Sequence, residues 1–156
     1  MTAGDPVVGR IETEIALLMR LGEATRRATP VEAHRSLDRA AYVILRRLAD
    51  GGPQNVSTLA AHLNLDGSTV TRQVTAMERE GLITREPDPT DGRGTLVAAT
   101  PTGLRRMTIV REARTSLYTS MLADWTPDDR ESLATLLARL NEALAARGRA
   151  RRAAAR

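Results

Sequence analysis

The chain has 156 residues, 42% of them apolar and 2% aromatic, with neither Phe nor Cys. One domain of this length can bury a sizeable core, and the lack of cysteine excludes disulfides, thiolate metal sites and cysteine-based peroxide sensing. The formal charge of +4 conceals its location: all 23 basic residues are Arg, and five of them (Arg147, Arg149, Arg151, Arg152 and Arg156) fall in the last ten positions. The remainder is close to neutral, so bulk charge does not argue for nucleic acid; only the placement of individual arginines can. No stretch has the apolar length of a membrane span and no signal-peptide pattern opens the chain, so a cytoplasmic protein with no membrane contact is expected. Abundant Ala and Leu with few aromatics favours helices over sheet.

In chain order, Met1–Val8 reads as a frayed end. A helix is expected from about Gly9 to Arg27, with Ile11, Ile15, Leu18 and Leu21 at helical spacing. Thr29-Pro30-Val31-Glu32 has the form of a capping box with Pro at the first helical position. The helix it opens extends through Leu37, Ala41, Ile44 and Leu48 to Asp50, with a break allowed near Ser36, and Gly51-Gly52-Pro53 ends it. A short helix over 58–63 follows, entered through Ser57 as N-cap. Asn64 and Leu65 leave it, Asp66 caps a second helix to about Glu80, and Gly81 stops that one. Leu59, Ala60, Leu63, Leu65, Val70, Val74, Met77 and Leu82 form the apolar set that would join the pair as a helix-turn-helix.

At 100° per residue Val70, Val74 and Met77 fall in one narrow stripe, which marks the buried face. The other face gathers Ser68, Thr69, Arg72, Thr75, Ala76 and Arg79, with Gln73 at its edge. These are types that reach base edges and phosphates in a major groove; the plainer reading is a solvated polar face. Strand-like segments over 82–86 and 95–100 flank the turn PDPTDGRG, so a hairpin follows directly, as a wing does. Arg93 on its loop suits an A·T-rich minor groove, and Asp91 stands close enough to brace the Arg or the loop.

The run from Leu59 to Gly103 resembles the winged helix-turn-helix core of MarR-family transcription regulators. The resemblance rests on the Ser68–Arg72 opening STVTR, the exit EGLI over Glu80–Ile83, the wing signature Asp91-Gly92-Arg93, and the Thr-x-x-Gly start at Thr100 and Gly103. Gly94, just after the wing Arg, is a departure that would loosen the wing. The resemblance implies a homodimer on a palindromic double-stranded DNA operator, often released by a small molecule.

Thr100-Pro101 and Thr126-Pro127 each start a further helix, over about 101–122 and from 127 to about Arg147. With the first helix they carry Leu, Ile and Met stripes that a compact wing domain cannot cover. A second copy would bury them; an intramolecular bundle is the alternative. The expected fold is therefore mainly α with a small β-hairpin wing, a winged helix-turn-helix flanked by N- and C-terminal dimerisation helices. Its parts are an N-terminal dimerisation helix (1–29), the DNA-binding region (30–100), C-terminal dimerisation helices (101–147), and a disordered Arg-rich tail (148–156). The tail's alanines could instead extend the last helix, and the tail is either a phosphate-binding extension or a solvated end.

The leading expectation is a sequence-specific DNA-binding regulator, a repressor in form. Ser68, Thr69, Arg72 and Gln73 would contact bases, Arg79 phosphate and Arg93 the flanking minor groove, while Ser57 and Thr58 hold phosphate through their hydroxyls and the helix N-terminus. The alternative is a winged-helix protein-interaction module; the Ser/Thr/Arg face counts against it, while the six Arg and six acids that balance over Asn55–Arg106 keep it open. No nucleophile–base pair, phosphate loop or metal spacing supports an enzyme, and no cofactor is expected. Tyr42, Tyr118, Met121 and Trp125 lie on helices that the resemblance places around an effector pocket. They could stack on a small aromatic or phenolic ligand, against the plainer reading that scarce large residues fill core gaps. His34 and His62 show no ligand spacing for a metal, and Arg46 and Arg47 could touch the DNA backbone or pair with acids.

Overall fold

The computed structural model describes residues 5–28 and 37–155. The capping box at Thr29–Glu32, His34 and the break near Ser36 lie outside the described residues. Eight elements follow in order among them: α1 (Pro6–Ala28), α2 (Arg39–Gly51), α3 (Val56–Leu63), α4 (Gly67–Arg79), β1 (Ile83–Pro87), β2 (Thr95–Ala99), α5 (Pro101–Met121) and α6 (Pro127–Ala154). The described residues fall in two units, one before residue 37 and one from it onward. In the first, α1 is one long helix whose Val8, Ile11, Leu18 and Leu21 are all exposed.

In the second unit one core joins α2, the helix-turn-helix, the wing and the start of α5. Ile44 and Leu45 of α2, Leu59 of α3, Val70 and Val74 of α4, Leu82, Ile83 and Val97 of the wing, and Val110 of α5 are completely enclosed. The three stripe residues chosen from the sequence of α4 are all buried. Leu65 is not: at 36% exposure it stays outside the seam, because Asn64 turns the chain in the left-handed region (φ 58°) and Leu65 N–H closes back onto Ala60 O.

The caps show which side chains end each helix. Asp38 opens α2, accepting the Ala41 N–H at 2.7 Å. Asn55, not Ser57, caps α3, accepting the Thr58 N–H at 2.8 Å. An amide oxygen one residue outside the apolar run outcompetes a hydroxyl already within the first turn. Asp66 caps α4, and Gly81, at φ +70°, ends it. Thr100 and Thr126 cap α5 and α6 with Pro in the first turn, as their Thr-Pro sequences dictate.

β1 and β2 pair antiparallel with Arg85 opposite Val97 and Pro87 opposite Thr95. Gln54 adds a single rung on the other side of β2, exchanging both backbone hydrogen bonds with Val97 at 3.1 and 2.8 Å. The linker before the helix-turn-helix is thereby part of the wing sheet.

The expected disordered tail is corrected. α6 does not stop near Arg147 but continues through Gly148 to Ala154. Ala and Arg are strong helix formers, and Gly148 is half-buried where the helix passes Asn64. No residue of α6 is fully buried; Leu133, Leu140, Ala145, Gly148 and Arg152 are half-buried.

Candidate nucleic-acid interface

The outer face of α4 is set by the core beneath it. With Val70, Val74 and Met77 enclosed, Arg72, Ala76 and Arg79 stand in solvent and Gln73 lies half-buried at the edge. The guanidinium groups of Arg72 and Arg79 have no partner among the described residues. They are long, charged donors held on a rigid helix and free to take an acceptor.

Ser68 and Thr69 are more constrained than their sequence suggests. Asp66 Oδ1 accepts the Ser68 hydroxyl at 2.5 Å and the Thr69 N–H at 2.8 Å, and its Oδ2 accepts the Thr69 hydroxyl at 2.6 Å. These donors, the Ser68 hydroxyl foremost, hold the Asp66 carboxyl well below the usual carboxylate range. Both hydroxyl protons are committed to Asp66, so the oxygens present lone pairs. They suit amino groups of cytosine or adenine better than phosphate. Thr75 is also engaged: its hydroxyl accepts from Arg85 at 3.0 Å, while Arg85 Nε pairs with Glu78 at 3.1 Å. Arg85 thus fastens β1 to α4 and fixes the wing's angle to the helix.

Asp91 organises the wing loop. Its carboxylate accepts the Arg93 backbone N–H at 3.1 Å, and its carbonyl accepts the Gly94 N–H at 2.8 Å. It braces the loop rather than the guanidinium, which stays exposed with no partner among the described residues. Asp88 adds a second brace, accepting the Thr90 N–H and hydroxyl at 2.8 and 2.7 Å. The Thr90 hydroxyl and amide lower its pKa in turn. Gly94 is not a loose joint, contrary to expectation. A Cβ there would lie 3.1 Å from Asp88 Cβ and 3.3 Å from Asp91 O, and both its backbone groups are bonded across the loop neck. Glycine fits a close turn that a Cβ would crowd by a few tenths of an ångström.

At the start of α3, Ser57 is exposed and Thr58 half-buried. Neither hydroxyl has a partner among the described residues. Arg46 pairs with Asp50 at 3.0 Å, and exposed His62 meets the Gln54 amide oxygen at 3.3 Å. No group of metal-ligating side chains occurs among the described residues.

The suggested effector residues are half-buried or exposed in this chain. Tyr42 is half-buried on α2 beneath the Arg114 guanidinium, 4.5 Å from its ring centre. Tyr118, Met121 and Trp125 are exposed by 57%, 51% and 43%, so they do not fill core gaps in this chain. Sequence reasoning missed Arg114, Arg85, Gln54 and Asn55; of these only Asn55, a good capping type ahead of an apolar run, carried a local signal.

A buried-faced helix after a tight turn, outward arginines and an Arg-tipped hairpin define a winged helix-turn-helix DNA-binding protein. The chain belongs to the MarR family of transcriptional regulators, whose model matches residues 37–95. It is 38% identical over 108 residues to the uncharacterised HTH-type transcriptional regulator YxaD of Bacillus subtilis, covering 69% of this chain and 76% of that one. Among solved structures it is similar to Rv1404 of Mycobacterium tuberculosis, with 26% identity, a TM-score of 0.71 and coverage of 90% and 95% of the two chains. It also shares its fold with the PcaV regulator of Streptomyces coelicolor, solved with its natural ligand, at 23% identity, a TM-score of 0.64 and coverage of 92% and 99%. Family and relatives are transcriptional regulators, not enzymes. No described helix is long and apolar enough to cross a membrane.

Proposed function

We propose that the chain acts in the cytoplasm as a homodimeric repressor on a palindromic operator. One observation carries the DNA contact: Arg72 and Arg79 project unpaired from a helix whose other face is wholly buried. In this reading α4 enters the major groove, where Arg72 takes guanine, and Ser68, Thr69 and Gln73 complete the base contacts. Arg79 meets phosphate, and Ser57 and Thr58 meet the neighbouring backbone through the α3 N-terminus. Asp91 shapes the loop that carries Arg93 into the flanking minor groove.

The second copy follows from apolar surface without cover. Leu136, Leu137 and Leu144 of α6 are exposed, as are Ile109 and Tyr118 of α5 and most apolar residues of α1. Patches of this extent mark interfaces, and two-fold symmetry suits two half-sites. A dimer seated on a promoter excludes polymerase, which is repression.

A small aromatic or phenolic effector would stack against Tyr42, Tyr118, Met121 or Trp125, and Arg114 beside Tyr42 would favour an anionic one. That PcaV was solved with a natural ligand supports such a site in this fold.

Selection of duplex DNA from a random pool, at near-physiological salt, tests the reading. A palindrome with half-sites about one helical turn apart is expected. Recovery of no motif, with binding that vanishes as salt rises, overturns it and leaves the interaction-module alternative.

A further inference from the structure

The winged region has no surplus of positive charge: six Arg balance six acids over Asn55–Arg106. Affinity for DNA nonetheless rests largely on neutralising phosphates. The densest cation source lies elsewhere, in the last ten residues, with five Arg and no acid. The fold carries this segment to the helix-turn-helix. Arg152 of α6 donates through one nitrogen to the Asn64 backbone oxygen at 2.6 Å and through the other to the Asn64 side-chain oxygen. Asn64 is the left-handed residue that ends α3, and α4 begins three residues later, within about 11 Å along even a fully extended chain.

Three features show that this is a seat rather than a chance touch. Ala145, Gly148 and Arg152, one face of α6 at helical spacing, are each half-buried amid exposed neighbours. A Cβ on Gly148 would run into the Asn64 side chain, whose amide would have to turn aside. Arg152 is bonded at both ends of its fork, which fixes the helix in register. On the same turns Arg147, Arg149 and Arg151 remain exposed, with no partner among the described residues. Arg149 and Arg151 flank the seated stripe, one on each side by 100° steps.

We infer that the arginine-rich end of α6, docked on Asn64, is a second DNA-binding element that contacts backbone phosphates beside the groove occupied by α4. Its guanidinium groups are assigned to phosphate alone, leaving base reading to α4 and the wing. It supplies the salt-sensitive part of affinity that the neutral wing domain lacks. This rests on the operator-binding reading above.

The test uses full-length protein and the operator found by selection, measuring affinity over a salt series. Arg149→Ala with Arg151→Ala removes two exposed charges and touches no core residue. The slope of log affinity against log salt should become shallower by about 2 per chain, with the selected motif unchanged. Asn64→Gly keeps the left-handed backbone and every arginine but removes one of the two acceptors of Arg152, leaving only the backbone oxygen; its slope should shift the same way, by less. Circular dichroism checks that helix content is retained. An unchanged slope in the double variant, with the parent still selecting its motif, overturns the proposal. A loss in the double variant but none in Asn64→Gly overturns the docked element, since the arginines would then act as a floating polycation. A parent that selects no motif instead overturns the regulator reading, a separate result.

Discussion

Gly103 lies directly on the carbonyl of Leu82, with no room between them for a methyl group. Leu82 ends the turn after α4, and Gly103 sits in the first turn of α5, so this contact locks the wing's entry to the helix that leaves it. Thr100 completes the joint: its hydroxyl donates to Gly81 O at 2.7 Å and accepts the Gly103 N–H at 3.0 Å, and its own N–H reaches Leu82 O at 3.0 Å. The Thr-x-x-Gly pattern is thus a structural clasp, not a DNA contact.

Gly103→Ala must push α5 off Leu82, because its added methyl would meet backbone and also lie 3.0 Å from Leu45 Cδ2. Overpacking of this kind costs about 1–3 kcal/mol. A lowered urea midpoint with unchanged slope is expected. A midpoint equal to that of the parent would show that the joint gives way freely.

Thr100→Val keeps the shape but loses the hydroxyl that bridges Gly81 and Gly103. Loss of a cap typically costs about 1 kcal/mol, and here a second acceptor is also left. Thermal denaturation should place this variant below the parent, whereas Thr100→Ser, which keeps the bridge, should stay closer to it.

Much of this was legible from sequence because it is local. Asp66 and Gly81 bound α4 through their own backbone preferences, and the Val70, Val74 and Met77 stripe needs nothing beyond helical period. What escaped depends on partners far along the chain. Gln54 joins the wing sheet through Val97, Arg85 reaches back ten residues to Thr75, and Arg152 finds Asn64 across 88 positions. The tail was misread for the same reason: Arg and Ala alone do not show whether a helix has anything to rest on. The Asn55 cap was missed by preferring the nearer hydroxyl.

Asp66 gives the fold a defined acid sensitivity. Its carboxyl titrates below its ordinary value of 3.8 in the folded chain because the Ser68 and Thr69 hydroxyls and the Thr69 N–H bond the charged form. The folded state then binds the proton more weakly than the unfolded state. Its stabilisation is complete above the ordinary carboxylate value and is lost as pH falls below it toward the depressed one. Asn is also a good N-cap, so Asp66→Asn should change stability little at neutral pH while flattening the loss below about pH 4. Denaturation midpoints of both proteins across pH 2–7 check this; parallel curves would remove Asp66 as the source.

Arg72 and Arg79 separate base reading from backbone holding on one helix face. Both are exposed and unpaired, so neither substitution leaves a buried hole. Arg72 lies in the second turn, beside the lone pairs that Ser68 and Thr69 present, whereas Arg79 ends the helix. If α4 enters the groove by its N-terminal end, Arg72→Ala should cost about 1–3 kcal/mol and relax selectivity at one position of each half-site. Arg79→Ala should weaken all sequences alike and make the salt slope shallower by about 1 per chain. Titration of the operator, a half-site mismatch and an unrelated duplex distinguishes the two. Equal losses by Arg72→Ala on all three would place that arginine on phosphate and shift base reading to Gln73 and the two hydroxyls.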